Sequence, residues 1–382
     1  MIKILHTSDI HLGAKVSFLG SRASKYRQKL LETFESIYDK AVEEQVNLVI
    51  IAGDLLDSPF PSKTDTEIAK GVFKKLAEAG IYVAILPGNH DYLTDGCVYV
   101  VDDLSQGNSR IKVFNDPEEN IFYIEELDLG LYVKVNSSPK GIQSPLYIEG
   151  SDPLPKREGD MNPKYKVAIA HGSVEINNQP AQNYPIKSED IKNSGYNYVA
   201  LGDWHSFLDV SSGEVVAVYP GCLEPLASDQ DGAGSIVIAE ISEDTTTVRT
   251  IPIGYFRIVR ADIDVHKVES IIESIRQELD KAVKTYQVTQ DRVLLNVQFS
   301  GQRELSLNIE TDQILEYFES KVFYLGLKDN TSLKIEPREL EKYPNYTIIG
   351  KYVKYLLSQK DIDRYLVDEA LQKGIRMLEN PS

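Results

Sequence analysis

Residues 47–57, NLVIIAGDLLD, decide the fold that we predict for this 382-residue chain. The run at 48–52 is unbroken, apolar and rich in β-branched residues, which is typical of a central strand buried on both faces of a sheet. Gly53 ends the run, and two acids, Asp54 and Asp57, follow with no basic residue beside them. Alone, this pattern leaves two interpretations open: a helix N-cap, or a carboxylate that faces a cation or hydrogen-bond donors at the carboxyl end of a strand.

Strands and helices alternate around this stretch. Apolar and amphipathic patterns predict strands at 2–5 and 81–86 and helices at 25–44 and 64–79. Such alternation with short connections is typical of a mostly parallel, right-handed α/β sheet. Further along, a second and more antiparallel sheet is predicted from short strands at 215–218, 235–241 and 246–250.

The chain is long enough for two or three domains. We assign residues 1–254 to a domain that carries the chemistry, residues 255–343 to a small α+β capping domain, and residues 344–382 to C-terminal helices. The last helix, predicted at 362–379, has an apolar stripe broader than a helix at the edge of a small domain usually needs. That stripe either packs in the core of this chain or docks a partner.

The composition is that of an ordinary globular protein, with 42% hydrophobic and 26% charged residues. A net charge of −17 argues against a surface that coats nucleic acid, but not against a local groove where bound cations supply positive charge. We find no apolar span for a membrane helix and no signal-peptide pattern. The two cysteines, Cys97 and Cys222, lack metal-type spacing, so we expect a cytoplasmic protein without a membrane association.

Five predicted strand ends carry acid, imidazole or amide side chains among small residues. They are Asp9 with His11, Asp54, Asn89 with His90 and Asp91, His171, and Asp203 with His205. Because α/β sheets bind ligands beyond the carboxyl ends of their strands, we expect these loops to converge. We expect the remaining histidines, His6 and His266, to be structural or supporting.

Oxygen and imidazole ligands without thiolates suit Mn²⁺, Fe²⁺ or Zn²⁺. Seven such side chains fill two partial coordination spheres if one of the carboxylates binds both metal ions. Two ions about 3.5–4 Å apart activate a water and hold a phosphoryl oxygen for in-line displacement. The sequence therefore predicts a two-metal centre for phosphate chemistry.

The same motifs, in order, resemble those of the calcineurin-like metallophosphoesterases. They are DIH at 9–11, GDLLD at 53–57, GNHD at 88–91, AHG at 170–172 and GDWH at 202–205. Within that superfamily the opening HTSDIHLG, at 6–13, most resembles the nuclease subunit of SbcCD-type double-strand-break repair complexes. The resemblance implies a four-layer α/β/β/α sandwich followed by the small domain and the C-terminal helices.

Roles for individual residues follow from this resemblance by position. It implies one metal ion on Asp9, His11, Asp54 and His205, and a second on Asp54, Asn89, His171 and Asp203, with Asp54 as the bridge. His90 is then expected to stabilise the charge on phosphorus or protonate the leaving oxygen, and Asp91 to orient the His90 ring. The alternative for His90 is a packed surface histidine.

The resemblance implies that the chain is a DNA nuclease, either an exo- or an endodeoxyribonuclease. It also implies two divalent metal ions, which we expect to be Mn²⁺. It implies a homodimer that partners an SMC-like, ABC-type ATPase in DNA repair. Arg22 and Lys25 are candidates for contacts with DNA phosphates, and a solvated charged helix face is the alternative. Two other functions stay open: a phosphodiesterase or phosphatase for small nucleotides or phosphoproteins, and a scaffold on a degenerate metal site.

Two residues depart from the family pattern. Asp203 stands where the last motif usually has a histidine, so the second metal either gains a harder ligand, which favours Mn²⁺ or Mg²⁺, or is held more weakly. Asp57 stands where some relatives carry a histidine, and we expect it to support the ligands rather than to bind metal.

Overall fold

The predicted strand at 48–52 lies inside a six-stranded sheet in the computed structural model, which describes residues 1–146, 162–175, 183–304, 307, 309–334 and 342–379. The strands of this first sheet are β1 (Ile2–Thr7), β2 (Leu48–Ala52), β3 (Tyr82–Leu86), β4 (Ile111–Val113), β11 (Ser235–Ile241) and β12 (Thr246–Pro252). Their order across the sheet is β12–β11–β1–β2–β3–β4. The strands β1 to β4 are parallel, as predicted, and β11 and β12 complete one edge antiparallel.

A second six-stranded sheet faces the first. Its strands are β5 (Ile121–Ile124), β6 (Leu129–Val133), β7 (Tyr165–His171), β8 (Tyr198–Gly202), β9 (Leu208–Asp209) and β10 (Val216–Tyr219). Their order is β5–β6–β7–β8–β10–β9. The four central strands are parallel, and only the two edge strands are antiparallel.

The prediction for the strands at 235–241 and 246–250 was wrong. They do not belong to the second sheet but extend the first, where β11 pairs with β1 from Ile2↔Ile241 to His6↔Val237. This position covers the otherwise open edge of β1, and pairing between segments more than 200 residues apart leaves no local trace in the sequence.

The core lies between the two sheets. Apolar side chains of β1 and β2 pack against those of β6 and β7, for example Ile50 in the same cluster as Leu131 and Ile169. Two helices, α1 (Ala23–Glu43) and α2 (Lys63–Glu78), connect strands of the first sheet. Ser62 caps the N-terminus of α2, because its side chain accepts a hydrogen bond from the Asp65 N–H. The outer face of the second sheet packs against the short helix α4 (Ser188–Lys192) through Ile191, and a four-residue helix, α3 (Val98–Val101), follows β3. The predicted α/β sandwich is confirmed.

Residues Met1–Arg257 and Ile258–Ser382 form two compact units. The second unit contains a three-stranded sheet and a two-stranded sheet, with strands β13 (Arg257–Asp264), β14 (Val293–Ser300), β15 (Gln302–Glu304), β16 (Tyr324–Asp329) and β17 (Ser332–Lys334). Its helices are α5 (Ile271–Tyr286), α6 (Thr311–Phe318), α7 (Ile348–Leu357) and α8 (Arg364–Glu379). The division into three domains stays a prediction.

The closing helices α7 and α8 bury one apolar face and expose another. Val353, Val367, Leu371 and Ile375 form a small buried cluster between them. Other apolar side chains of the same segment are exposed, namely Tyr346, Ile348, Tyr355, Leu366 and Met377. The broad stripe seen in the sequence therefore has an inner half that packs and an outer half that faces solvent.

Two further findings concern membrane-spanning helices and the two cysteines. Among the described residues, none of the helices combines the length and apolarity that a membrane crossing requires. Cys97 and Cys222 are free, buried thiols.

The ends of β2 and β8 approach so closely that only glycine fits at Gly202, where an added Cβ would lie 1.9 Å from the Ala52 carbonyl oxygen. We expect Gly202→Ala to lower the free energy of unfolding by at least about 1–3 kcal/mol, because the backbone must move. The control is Gly71→Ala, in an open position of α2, which should raise stability by up to about 1 kcal/mol. Urea denaturation measures both, and equal stability of the two variants would contradict this account.

Candidate metal centre

The five motifs all follow the carboxyl ends of parallel strands. Three belong to β1, β2 and β3 of the first sheet, and two belong to β7 and β8 of the second. Their side chains meet between the sheets, and three groups offer ligand atoms within 4.8 Å of one another in the part of the chain described: Asp9 with His11 and His205, Asp9 with Asp54 and His171, and His11 with Asp57 and His90. The candidate site is therefore a joint product of both sheets.

Left-handed backbone conformations aim several of these side chains inward. Asp9, His11 and Asp54 have φ values of 52°, 51° and 50°, and Asp203 has a φ of 104°. Such values cost non-glycine residues about 1–3 kcal/mol each and persist only where the surroundings enforce them. Here hydrogen bonds between the loops after β1 and β2 hold these conformations in place. The Asp9 N–H donates to the Gly53 carbonyl at 3.1 Å, and the His11 N–H donates to the Asp54 carbonyl at 2.9 Å.

Asp54 is the central carboxylate. It is 1% exposed, and its Oδ2 lies 3.5 Å from His11 Nε2 and 3.4 Å from His171 Nε2. Its Oδ1 accepts a hydrogen bond from the His90 N–H at 2.8 Å. Burial alone would raise the pKa of Asp54, but the charges of His171, His11 and His90 outweigh burial and lower it. Asp54 is thus held as a carboxylate between two imidazoles.

The backbone carbonyl of Ala52, in the facing sheet, orients the His171 ring. Its Nδ1 donates to the Ala52 carbonyl at 2.9 Å, so Nε2 faces the centre of the site. There Nε2 lies 2.8 Å from Asn89 Oδ1 and 4.0 Å from Asp203 Oδ1. Burial would lower the pKa of His171, but the charge of Asp54 and its hydrogen bond hold that pKa well above its usual value. When no metal is bound, a proton on His171 Nε2 offsets the negative charge of the Asp54 and Asp203 carboxylates.

His11 carries an orphaned nitrogen, which is the observation that fits a metal ion. Its Nδ1 lies 3.2 Å from Asp57 Oδ1, while its buried Nε2 has no hydrogen-bond partner among the described residues. Burial lowers the pKa of His11, and the hydrogen bond to Asp57 and the charges of Asp54 and Asp9 more than reverse that effect. A divalent cation would fill the gap between Nε2 and the Asp54 carboxylate.

Asp9 and His205 belong to the predicted first ligand set and lie together with His11. Asp9 is fully buried, and its carboxylate accepts hydrogen bonds from the Ser8 hydroxyl and the Asp203 N–H. His205 Nε2 lies 3.6 Å from Asp9 Oδ1. The Gln230 side-chain amide holds the His205 ring from behind, at 2.5 Å from Nδ1. Burial lowers the pKa of His205.

Asp203 points towards His171, with which it shares the predicted second ligand set. The Ser173 hydroxyl donates to Asp203 Oδ2, which leaves Oδ1 directed at His171. Burial raises the pKa of Asp203, although the charge of His171 acts in the opposite direction. The carboxylate therefore occupies a place from which it can act as a metal ligand.

His90 lies at the mouth of the site. Its side chain is half exposed, its ring centroid is 4.6 Å from that of His11, and its Nδ1 is 3.9 Å from Asp57 Oδ1. Asp57 therefore faces both His11 and His90, and these three residues form one of the groups that could hold a metal ion. The supporting role of Asp57 stays a prediction.

The described contacts of Asp91 differ from the predicted one with the His90 ring. Its buried carboxylate accepts hydrogen bonds from the Gly88 N–H at 2.6 Å, the Leu56 N–H at 3.0 Å and the Tyr99 hydroxyl at 2.6 Å. Burial, and then the charge of Asp54, raise the pKa of Asp91 to about 6. Asp91 thus braces the loop that carries Asn89 and His90.

Several supporting residues were missed from the sequence. Ser173 directly extends the AHG motif and could have been suspected, but Gln230 and Asn136 lie far from any motif. Asn136 is buried and donates to the His171 carbonyl at 2.9 Å. Hydrogen bonds across such separations have no sequence pattern.

The remaining candidates lie at the edges of the site or away from it. Arg22 ends a short 3₁₀ segment, Ser17–Arg22, and Lys25 lies in the first turn of α1, so both follow the loop after β1. His6 is buried beside Tyr198, with its Nδ1 2.7 Å from the hydroxyl, and burial lowers its pKa to about 3. His266 is exposed in the second unit.

Buried carboxylates and imidazoles around an orphaned nitrogen, at the facing strand ends of an α/β sandwich, define a candidate centre for divalent metal ions. The sequence profile of the calcineurin-like phosphoesterase family matches residues 2–207, more than half of the chain. The chain belongs to this family, and its predicted resemblance is confirmed.

Three curated relatives are each named DNA double-strand break repair protein Mre11. The chain is 23% identical over 299 residues to that of Aeropyrum pernix, which covers 76% of this chain and 70% of the relative. It is 26% identical over 366 residues to that of Methanosarcina mazei, and the match covers 89% of this chain and 52% of the relative. It is 25% identical over 390 residues to that of Methanococcus maripaludis, and the match covers 99% of this chain and 96% of the relative. The chain thus spans about half the length of the second relative and nearly all of the third.

The raised pKa values of His171 and His11 predict that metal binding releases protons. Because the pKa of the metal-free His171 ring is raised, we expect this ring to hold a proton that Mn²⁺ must displace, so affinity should rise with pH until that raised pKa is passed. Calorimetric titration with Mn²⁺ in two buffers of different ionisation enthalpy measures the number of protons released. We expect at least one proton per chain.

A matched pair of variants controls this experiment. Asp54→Asn should weaken Mn²⁺ binding beyond the roughly 10–100-fold effect of losing an outer partner, because it removes the charge shared by both imidazoles. Asp95→Asn, which changes an exposed acid in the loop after β3, should leave affinity unchanged. Binding without proton release, or equal affinities of the two variants, would count against the metal centre.

Proposed function

We propose that this chain is a two-metal-dependent DNA nuclease and a subunit of an ATPase-coupled DNA repair complex. The observation that carries the proposal is the convergence of His11 and His171, one from each predicted ligand set, on the buried Asp54 carboxylate. Family membership supports phosphoester chemistry, and the relatives named for DNA double-strand break repair support DNA as the substrate.

We assign the two ligand sets as follows. The first comprises Asp9, His11, Asp54 and His205, and the second comprises Asp54, Asn89, His171 and Asp203. When bound, a pair of divalent ions acts as a Lewis acid on the phosphoryl oxygen and lowers the pKa of a water. The second set offers three oxygens and one nitrogen and neither set offers a thiolate, which favours Mn²⁺ over softer ions.

The protein itself supplies orientation. The Ala52 carbonyl, the Asp57 carboxylate and the Ser173 hydroxyl hold His171, His11 and Asp203, respectively, so that each presents one fixed atom to the centre. Holding ligands in place before the substrate arrives removes reorganisation from the reaction step.

His90 is the proposed proton donor. Its Nδ1 faces Asp57, which leaves Nε2 for the substrate, and its ring lies at the exposed mouth of the site beside His11. There the imidazole can protonate the leaving oxygen or stabilise the charge on the phosphoryl group. Asp91 acts indirectly, by fixing the backbone of the His90 loop.

Partner contacts are a further part of the proposal. The exposed apolar face of α7 and α8, with Ile348, Tyr355, Leu366 and Met377, is the proposed dock for an SMC-like ATPase. Contacts of Arg22 and Lys25 with DNA phosphates, and assembly into a homodimer, remain predictions that rest on the family resemblance.

Nuclease assays with a His90 variant test the proposed activity. With Mn²⁺, the wild-type chain should cleave linear duplex or single-stranded DNA, and a chelator should abolish cleavage. His90→Ala should lower kcat by about 10²–10⁴-fold while leaving Mn²⁺ affinity intact. His266→Ala, an exposed histidine in the second unit, is the control and should cleave as wild type does.

Three results would oppose parts of this proposal. Rapid cleavage by His90→Ala would remove His90 from the mechanism. Hydrolysis of a small diester without DNA cleavage would favour the phosphodiesterase alternative. Binding of fewer than two ions together with no hydrolysis would favour a scaffold whose metal site is weakened at Asp203.

Surface substitutions test the proposed dock without removing the helices. Serine at Ile348, Tyr355, Leu366 and Met377 should abolish co-purification of the cognate ATPase, because these side chains supply the apolar contact area. Serine at Val100 and Val101, which are exposed apolar residues of the first unit, is the control. Unchanged co-purification by the fourfold variant would contradict the assignment of the dock.

A further inference from the structure

Trp204 is an exposed aromatic side chain inside the metal-site motif. It is the only tryptophan of the chain and lies between Asp203 and His205, one residue from each ligand set. Neighbouring Cα atoms are about 3.8 Å apart, so the indole starts beside the centre. The residue is 49% exposed, and among the described residues no ring or hydrogen-bond partner engages the indole. A large apolar side chain is therefore left open on the loop that carries Asp203 and His205.

The loops of the site have little with which to hold a nucleic-acid backbone. The five segments 6–13, 53–60, 87–92, 171–175 and 202–207 contain no lysine and no arginine, and the whole chain has a net charge of −17. Proteins usually gain affinity for nucleic acid by neutralising phosphates with basic side chains. In these five segments the scissile phosphate is left to the metal ions and His90, and the base is another part of the nucleotide that the protein can hold.

We propose that Trp204 is a base-stacking residue that holds a nucleobase next to the scissile phosphate. The inference rests on the proposed nuclease function. Stacking on an aromatic face is tolerant of sequence, because every base has a π-face. A base can reach the indole only after it leaves its own stack, so unpaired strands and frayed ends bind better than the interior of a duplex.

Substrates with and without the base test this role. Short single-stranded oligonucleotides carry one cleavable linkage, flanked either by thymine or by an abasic residue. We expect wild type to bind the thymine substrate about 5- to 150-fold better by KM, the range that base–aromatic stacking supplies. Trp204→Ala should remove this difference, and Trp204→Phe should keep most of it. Tyr286→Ala, which removes a ring of similar exposure (47%) in the second unit, is the control.

Fluorescence of the single tryptophan gives a readout that needs no cleavage. A thymine oligonucleotide with non-hydrolysable linkages should quench Trp204 emission in the Mg²⁺-loaded wild-type chain, and the abasic oligonucleotide should not. Quenching by thymine in a protein that cleaves no DNA would uphold stacking and refute the nuclease. DNA cleavage with equal base discrimination by wild type and Trp204→Ala, and with unchanged emission, would overturn the stacking proposal and leave the nuclease standing.

Discussion

The burial of the Asp54 carboxylate between two imidazoles is the interaction on which the rest of the structure depends. A buried carboxylate without a partner costs several kcal/mol, so the chain must bring positive or hydrogen-bonding groups to it. His11 follows a strand of the first sheet and His171 ends a strand of the second, at 3.5 and 3.4 Å from the same oxygen. The site therefore forms only when the sheets pack face to face, and the close contact at Gly202 serves folding and chemistry together.

Local features of the fold were predictable from the sequence, and long-range ones were not. The limits of β2 were predicted correctly, because an apolar run and a glycine break are local signals. The places of β11 and β12 were predicted wrongly, because strand pairing over more than 200 residues depends on which edge is free. In the site, the motifs predicted which side chains meet, but not the left-handed backbone at Asp9 and Asp54, since functional sites violate local preference.

The last motif gives this chain its individual character. Asp203 brings an oxygen to a position where the family usually has an imidazole, and Ser173 fixes its orientation. Trp204 follows with an exposed indole. If the proposed assignments hold, these two neighbouring residues set both the hardness of the second ligand set and the surface offered to substrate. Among the carboxylates, Asp57 rather than Asp91 lies beside the His90 ring, a distinction that only side-chain geometry could make.

Electron paramagnetic resonance of the Mn²⁺-loaded full chain tests the central claim, that one carboxylate joins two ion sites, most directly. Two Mn²⁺ ions bridged by Asp54 should give an exchange-coupled signal at a stoichiometry of two per chain, and Asp54→Asn should abolish the coupling. The measurement depends on neither DNA nor a partner protein. A single Mn²⁺ per chain, or two ions without coupling in the wild-type protein, would contradict the account.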